Sequence, residues 1–130
     1  MKSIFELIIN GEMSGNVLYE NEKVICLLDI KPYQLGHVLI IPKEKKVNIL
    51  LEEDETIIEL FRVSNLLKQA YNKILNLKGV KLISNVGKEA SQVVFHTHLH
   101  FIPFYEVDTR GMLSETQIKL TREELKNLDN

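Results

Sequence analysis

The segment His96-Thr97-His98-Leu99-His100-Phe101-Ile102 holds three of the four histidines of this 130-residue chain. Side chains at every second position of a strand project from the same face, so the three imidazoles are predicted to share one face, neighbours roughly 6.6 Å apart along the strand. Phe95, Leu99 and Phe101 fall on the opposite face and are predicted to be core. We therefore predict a strand from Val93 to Phe104 with a polar site on one side.

Three imidazoles on one face require hydrogen-bond partners, solvent or a ligand once the strand is packed, which favours a functional site over a structural role. Two chemistries remain open. A His-x-His pair is a common zinc or iron half-site, and its third ligand would come from His100, His37, Glu106 or Asp108. Alternatively, one imidazole acts as a nucleophile, since imidazole is largely unprotonated at neutral pH.

The residues before this segment predict a hairpin and a third strand. Val17–Tyr19 and Val24–Leu28 are short stretches rich in β-forming residues, separated by a polar tetrapeptide with turn composition. Asp29–Gly36 is predicted to be a loop, because its proline cannot continue a central strand. His37–Pro42 is almost entirely apolar and is predicted to be the next strand.

One long helix follows. Four acids at Glu52–Glu55 suit the positive end of a helix, and apolar residues then recur from Ile57 to Leu75 with a period close to 3.6. Gly79 is the predicted helix stop.

The rest of the chain predicts strands and a terminal helix. Val80–Asn85 alternates as a strand, Gly87–Gln92 is a loop, and Thr121–Glu124 resembles a capping box that opens a short C-terminal helix. The order of strands, helix, strands and helix predicts one α+β domain over residues 1–130, with the long helix packed on an antiparallel sheet.

Composition excludes several classes of protein. The formal net charge is −2, which argues against a general nucleic-acid binder. The single cysteine excludes an internal disulfide framework and a cysteine-rich zinc site. No apolar run reaches the roughly 18 to 20 residues of a membrane span. An acid at Glu6 interrupts what would be the apolar core of a secretory signal, so the expected compartment is the cytoplasm.

The segment 96–102 resembles the signature of the histidine triad (HIT) superfamily of nucleotide hydrolases and transferases. Further segments resemble other motifs of that family in the same order: Asp29-Ile30-Lys31-Pro32, Gly36–Lys43, Asn85-x-Gly87 and Gln92–Phe95. The resemblance covers residues 3–104 and leaves the tail 105–130 outside it. It implies a HIT-like α+β fold and a homodimer.

The resemblance also implies roles for individual residues. His98 would attack the α-phosphorus of a nucleotide and form a nucleotidyl-histidine that water hydrolyses. His96 would help to orient that imidazole, and His100 would contact the phosphate oxygens. Asn85 and Gln92 would donate further hydrogen bonds to the phosphate or leaving group, the loop before Gln92 curling back over the site.

The same resemblance places a nucleoside pocket. Asp29 would hold the ribose hydroxyls, and His37 would support the triad from beneath. The implied base and ribose pocket is lined by apolar residues: Ile4, Phe5, Met13, Leu27 and Ile30.

Zinc-bearing members of the family carry Cys-x-x-Cys where this chain has Ser3 and Glu6, so we expect no metal on the protein. No cofactor is expected either, although a divalent ion accompanying a polyphosphate substrate is compatible with the site.

Val93 stands where members that cleave phosphoramidates usually have Ser or Thr. An amine leaving group needs protonation more than a phosphate does. The sequence therefore favours a phosphoanhydride such as a dinucleoside polyphosphate. The alternatives are an adenosine phosphoramidate hydrolase and a nucleotide-binding module with little turnover.

Overall fold

A computed structural model describes residues 2–129 of the chain, so Met1 and Asn130, the two ends of the predicted domain, lie outside the described residues. The predicted α+β fold is confirmed. The helices and strands are, in chain order, α1 (Ile4–Ile9), β1 (Val17–Glu20), β2 (Val24–Leu28), β3 (Val38–Pro42), α2 (Asp54–Leu75), β4 (Gly79–Ile83), β5 (Leu99–Phe104) and α3 (Glu115–Leu128). Among the described helices, none combines the length and apolar character needed to cross a membrane.

The five strands form one antiparallel sheet in the order β1-β2-β3-β5-β4. All five residues of β2 are buried, because both faces of the sheet are covered. The larger core lies between the sheet and α2 and α3, and the smaller one consists of Phe5, Ile25, Leu27 and Ile41. Since Phe5 lies in α1, the short first helix covers the face opposite α2.

Helix α2 supplies the largest apolar surface of the core. Its fully buried residues recur along one stripe: Leu60, Val63, Leu67, Ala70 and Tyr71. The predicted stop at Gly79 is wrong. Asn76 ends the helix in the left-handed conformation, with φ 55°, and Gly79 is the first residue of β4. Asparagine tolerates this conformation better than most residues, so the helix ends three residues early.

Strand β5 is shorter than predicted. It begins at Leu99 rather than Val93, because the chain before it pairs with the segment after β3 instead of with β3 itself. The Thr97 amide donates to the Lys46 carbonyl at 2.9 Å. Phe95, predicted to be core, is 45% exposed.

Both terminal helices begin at capping boxes. Ser3 and Glu6 form one at the start of α1, a helix that the sequence analysis did not predict although the Ser-x-x-Glu pattern was present. Ser114 and Gln117 form the other, so α3 starts earlier than Thr121, which lies inside the helix and bonds back to the Gln117 carbonyl. A threonine in a helix interior commonly bonds in this way, which is why its pattern misled the prediction.

The loop that leads into β3 rests on α2 through Tyr71. The Tyr71 hydroxyl donates to the Gly36 carbonyl at 2.8 Å. Gly36 has φ +83°, and a Cβ built there would lie 3.0 Å from the Tyr71 ring. Glycine is therefore required at this position by both backbone conformation and space.

Replacing Gly36 by alanine should destabilise the protein by about 2 to 4 kcal/mol, the sum of left-handed strain and overpacking. Gly11→Ala is the matched control, because Gly11 has φ +77° with nothing within 4 Å of the added Cβ. It should cost only about 1 to 2 kcal/mol. Urea denaturation of both variants measures the difference, and equal losses would contradict a steric role for Tyr71.

Candidate active site

The histidines converge on the face of the sheet that α1 covers. His100 lies on β5, while His96 and His98 lie in the segment before it, His96 at a bend. The ring centroids of His98 and His100 are 5.2 Å apart. Phe5 contacts His96 and His98 edge-on, with centroid distances of 5.8 and 5.1 Å. These ring contacts link the three imidazoles, although only His100 projects from a strand.

His98 is oriented by the backbone of the same segment. Its Nδ1 lies 2.8 Å from the His96 carbonyl oxygen, and because a carbonyl only accepts, Nδ1 carries the proton. The Nε2 atom therefore keeps a free lone pair. Burial lowers the pKa of His98, against the opposing effect of that hydrogen bond. The result is a neutral imidazole with an unprotonated nitrogen available as a nucleophile.

His100 carries its proton on the opposite nitrogen. The Tyr33 amide donates to His37 Nδ1 at 3.2 Å, so the proton of a neutral His37 ring is on Nε2. His37 Nε2 lies 3.0 Å from His100 Nδ1, which must accept, leaving His100 with an Nε2–H donor. Burial, followed by the charges of His98 and His37, lowers the pKa of His100 to about 4.

Asp29 lies beside this pair of imidazoles. One carboxylate oxygen accepts from the Lys31 amide at 2.9 Å, and the other lies 3.6 Å from His37 Nε2. The side chain is 20% exposed. The carboxylate raises the pKa of His37, but burial outweighs it and the net shift is downward. Asp29 therefore bonds to the backbone of its own loop, as turn aspartates commonly do, and also lies beside the imidazoles.

Asp29, His37 and His100 also present three potential metal ligands within 4.8 Å of one another. Their hydrogen bonds oppose that use. A metal on His37 Nε2 requires a proton on Nδ1, because a ligating histidine donates through its other nitrogen. That nitrogen faces the Tyr33 amide, itself a donor. The donor pattern fits an imidazole chain rather than a metal centre.

Ser3 and Glu6 stand where the family resemblance would place the Cys-x-x-Cys of a zinc site, and both side chains make other contacts here. Glu6 accepts from the Ser3 amide at 3.0 Å, and Ser3 accepts from the Glu6 amide at 3.2 Å. The Glu6 carboxylate also lies 3.4 Å from Lys45 Nζ. His96 Nε2 donates to the Pro42 carbonyl at 2.7 Å, and its buried Nδ1 has no partner among residues 2–129. A hydroxyl and a carboxylate paired with a lysine do not fit a thiolate zinc site.

The loop before the triad turns back on Gly87, because the Gln92 amide donates to the Gly87 carbonyl. Residues Lys88–Ala90 form a 3₁₀ turn, and Ser91 takes φ 69°. Gln92 is buried, accepts from the Gly87 amide at 2.8 Å, and donates to two carbonyls, those of Val47 and Val94. Its amide therefore holds the loop, and a bond to phosphate would require an exchange of partners.

The remaining predicted site residues differ in burial. Asn85 is half-buried and donates to the Ser91 carbonyl at 3.3 Å. Phe5 and Leu27 are buried, whereas Ile30 is 75% exposed. Ile4 and Met13 are also exposed. The ligand contacts assigned to all of these residues remain predictions.

Tyr33 is a site residue that the sequence analysis did not identify. Its ring stacks on His37 with centroids 5.6 Å apart and an interplanar angle of 20°. It is otherwise exposed. Only its place in the Asp29 loop, four residues before His37, could have indicated this contact.

Comparison with known proteins places these features in a family. A sequence model described as the HIT domain matches residues 10–107. A HIT-like protein of Borreliella burgdorferi is 36% identical over 129 residues, covering 96% of this chain and 91% of its own. The adenylylsulfatase HINT3 of Arabidopsis thaliana is 35% identical over 105 residues, covering 81% of this chain and 53% of its own. A Zn-bound histidine triad family protein from Mycobacterium smegmatis superposes with a TM-score of 0.88 at 33% identity, covering 99% and 96% of the two chains.

The buried imidazoles make stability depend on pH. Burial lowers the pKa of His37, His98 and His100 below the ordinary value of 6.5, so the unfolded chain takes up protons that the folded chain resists. Above about pH 6.5 both states are neutral, and as pH falls from there toward 4 the unfolding free energy should decrease. His100→Gln should lose less stability over this range, as measured by urea denaturation at pH 7.0 and 4.5. Carboxylates contribute to both proteins, so identical losses would contradict the assignment.

Proposed function

The chain belongs to the histidine triad (HIT) family, and from this premise we propose that it is a nucleotide hydrolase or transferase acting at the α-phosphate of a nucleoside phosphate conjugate. A dinucleoside polyphosphate is the favoured substrate. One observation carries the proposal: the His98 ring, whose Nε2 keeps a free lone pair, has its centroid 5.2 Å from that of the His100 ring, whose Nε2 carries a proton. A nucleophile and a hydrogen-bond donor side by side are what displacement at a phosphate requires.

His98 performs the displacement. Its Nε2 lone pair forms a bond to the α-phosphorus, while the bond to the bridging oxygen breaks and its electron pair leaves with the second phosphate. The ring acquires a positive charge as the P–N bond forms. The Nδ1–H donated to the His96 carbonyl stabilises that charge and prevents the ring from turning.

His100 stabilises the charge that develops on the phosphate. Its Nε2–H faces away from His37 and is free to donate to a non-bridging oxygen. Because the donor is fixed before the substrate arrives, the site needs little reorganisation during the reaction. Attack by water on phosphorus then breaks the P–N bond, whose electron pair returns to Nε2, and the proton lost by the water passes to solvent. This step releases a mononucleotide and leaves His98 neutral.

The nucleoside would lie between Asp29 and Phe5. A carboxylate accepts two hydrogen bonds, as the paired hydroxyls of a ribose require, and Asp29 has one oxygen that no backbone amide occupies. Phe5 and Leu27 belong to the same apolar cluster and offer a surface for a base.

The leaving group is favoured to be a phosphate. Val93 is 84% exposed and offers no hydroxyl to protonate an amine. The Arabidopsis relative acts, by its name, on adenylyl sulfate, a mixed anhydride whose leaving group needs no proton either. Both observations support an anhydride rather than a phosphoramidate.

Turnover of diadenosine tetraphosphate should exceed that of adenosine phosphoramidate when both are compared by chromatographic assay of released AMP. His98→Ala should abolish the reaction, because His98 is the member of the triad whose Nε2 is unprotonated. A covalent AMP adduct trapped in acid-quenched wild type, and absent from His98→Ala, would identify the intermediate.

Gln117→Ala serves as the control, since it alters only the cap of α3. A strong preference for the amide would reject the anhydride proposal. Nucleotide binding without an adduct or turnover would identify a binding module instead.

We also propose that the protein is a homodimer. Strand β4 is an edge strand, and its Leu82 and Ile83 are each 40% exposed. Ile58 and Phe61, three residues apart on α2, are 67% and 49% exposed. An unpaired strand edge and an exposed apolar helix face are both surfaces that a second copy would cover.

Light scattering at micromolar concentration should therefore give the mass of two chains. Phe61→Glu should produce monomers by placing a charge in the interface, while Leu50→Glu, in the turn before α2, should leave the dimer intact. A monomeric wild type would contradict the proposal.

A further inference from the structure

Residues Tyr105–Thr109, which follow β5 and lie outside the family motifs, contact the Asp29 loop. We refer to them as the strap. The Gln34 side chain, which is 8% exposed, donates to the Asp108 carboxylate at 2.8 Å and accepts from the Thr109 amide at 3.1 Å. Both ends of this amide are therefore satisfied by residues 74 and 75 positions further along the chain.

The backbone of Leu35 is held by the same strap. Its amide donates to the Thr109 carbonyl at 2.8 Å, and the Tyr105 hydroxyl donates to its carbonyl. Hydrogen bonds from the strap therefore hold the loop in place at Gln34 and Leu35. Since the loop belongs to no helix or strand, these bonds replace the ladder that would otherwise fix it.

These two residues lie immediately before the imidazole chain. The His37 amide donates to the Gln34 carbonyl at 3.1 Å, and the Tyr33 amide donates to His37 Nδ1. The Asp29 amide closes the loop on the His37 carbonyl at 3.0 Å. A shift of the loop would therefore move the donor that determines which nitrogen of His37 is protonated.

We propose that Gln34 is a positioning residue of this active site: through the strap it fixes the Tyr33 amide against His37, and so keeps the proton of His100 directed at the substrate. The expected loss of catalytic rate rests on the proposed function, whereas the expected change in the protonation of His100 does not. Gln34 touches neither the substrate nor the reacting atoms, and it acts through Tyr33 and His37.

The chemistry of Gln34 supports this role over ordinary packing. A buried amide costs free energy unless its groups are bonded, and an apolar side chain would fill the same space more cheaply. Its partner Asp108 is otherwise exposed, with its side chain 67% accessible and only a distant contact with Arg110 at 3.8 Å. The bond therefore fixes an exposed segment to the loop, rather than completing a polar network in the core.

Gln34→Ala should lower kcat/KM by on the order of tenfold, because small displacements of catalytic groups reduce rates steeply. The matched control is Arg122→Ala, which removes two hydrogen bonds to the Val17 carbonyl at the far edge of the sheet. It should lower the melting temperature without changing kcat/KM. Equal kinetic losses in the two variants would overturn the proposal.

A second test reverses the direction of the hydrogen bond between the side chains at positions 34 and 108. Q34E keeps the acceptor for the Thr109 amide but opposes the Asp108 carboxylate, so it should reduce activity as Gln34→Ala does. Adding D108N restores this hydrogen bond with its direction reversed, because the new amide at position 108 donates to the new carboxylate at position 34. The double substitution should recover most of the lost activity, and a double variant no better than Q34E would overturn the proposal.

The protonation of the imidazoles can be read without any substrate. In ¹⁵N-labelled wild type, NMR should show His100 protonated on Nε2 and unprotonated on Nδ1. Gln34→Ala should mix the two tautomers, and Arg122→Ala should not. An unchanged His100 spectrum in Gln34→Ala would reject the positioning role, whereas a shifted spectrum in a protein that turns over no nucleotide would reject only the proposed function.

Discussion

The site depends on a chain of hydrogen bonds that runs in one direction. It starts at the Tyr33 backbone amide, passes through the His37 ring and ends at His100. An imidazole with two nitrogens has two neutral forms, and a partner that can only donate or can only accept selects between them. A backbone amide is such a donor, because it cannot accept. The direction of the whole chain is therefore set by the backbone of a loop, and the outward-facing proton of His100 follows from it.

The second imidazole, that of His98, is fixed by a backbone acceptor instead of a backbone donor. His98 donates to a carbonyl, which can only accept, so its outward nitrogen is bare. Two rings of the same residue type, with centroids 5.2 Å apart, thus carry a lone pair on one Nε2 and a proton on the other. Burial keeps both rings neutral near pH 7, since it lowers the pKa of each. The protonation pattern of the two histidines is therefore set by backbone groups, directly by the His96 carbonyl for His98, and through the His37 ring by the Tyr33 amide for His100.

Periodic features of the sequence were predicted well, and features that depend on distant partners were not. The α2 stripe and the hairpin follow from local spacing, and the triad is visible from its repeat alone. The start of β5 was misplaced because the pairing of Thr97 with Lys46 joins residues 51 positions apart. The bond between Gln34 and Asp108 has no local signal at all, since a glutamine in a loop is ordinarily solvated. Two features were missed despite a local signal: helix α1 with its Ser3-x-x-Glu6 box, and the start of α3 with its Ser114-x-x-Gln117 box.

Helix α1 shows which kind of interaction holds Phe5 against His98. Six residues are too few for a helix to be stable alone, so tertiary contacts must hold Phe5 against His98. The pair between Glu6 and Lys45 is partly exposed, and such pairs contribute at most about 1 kcal/mol. Burying a phenylalanine among aliphatic residues contributes about 1.5 to 3 kcal/mol. Apolar packing therefore sets the depth of Phe5, while the Ser3 and Glu6 bonds determine where the helix begins and so which of its residues faces the imidazoles.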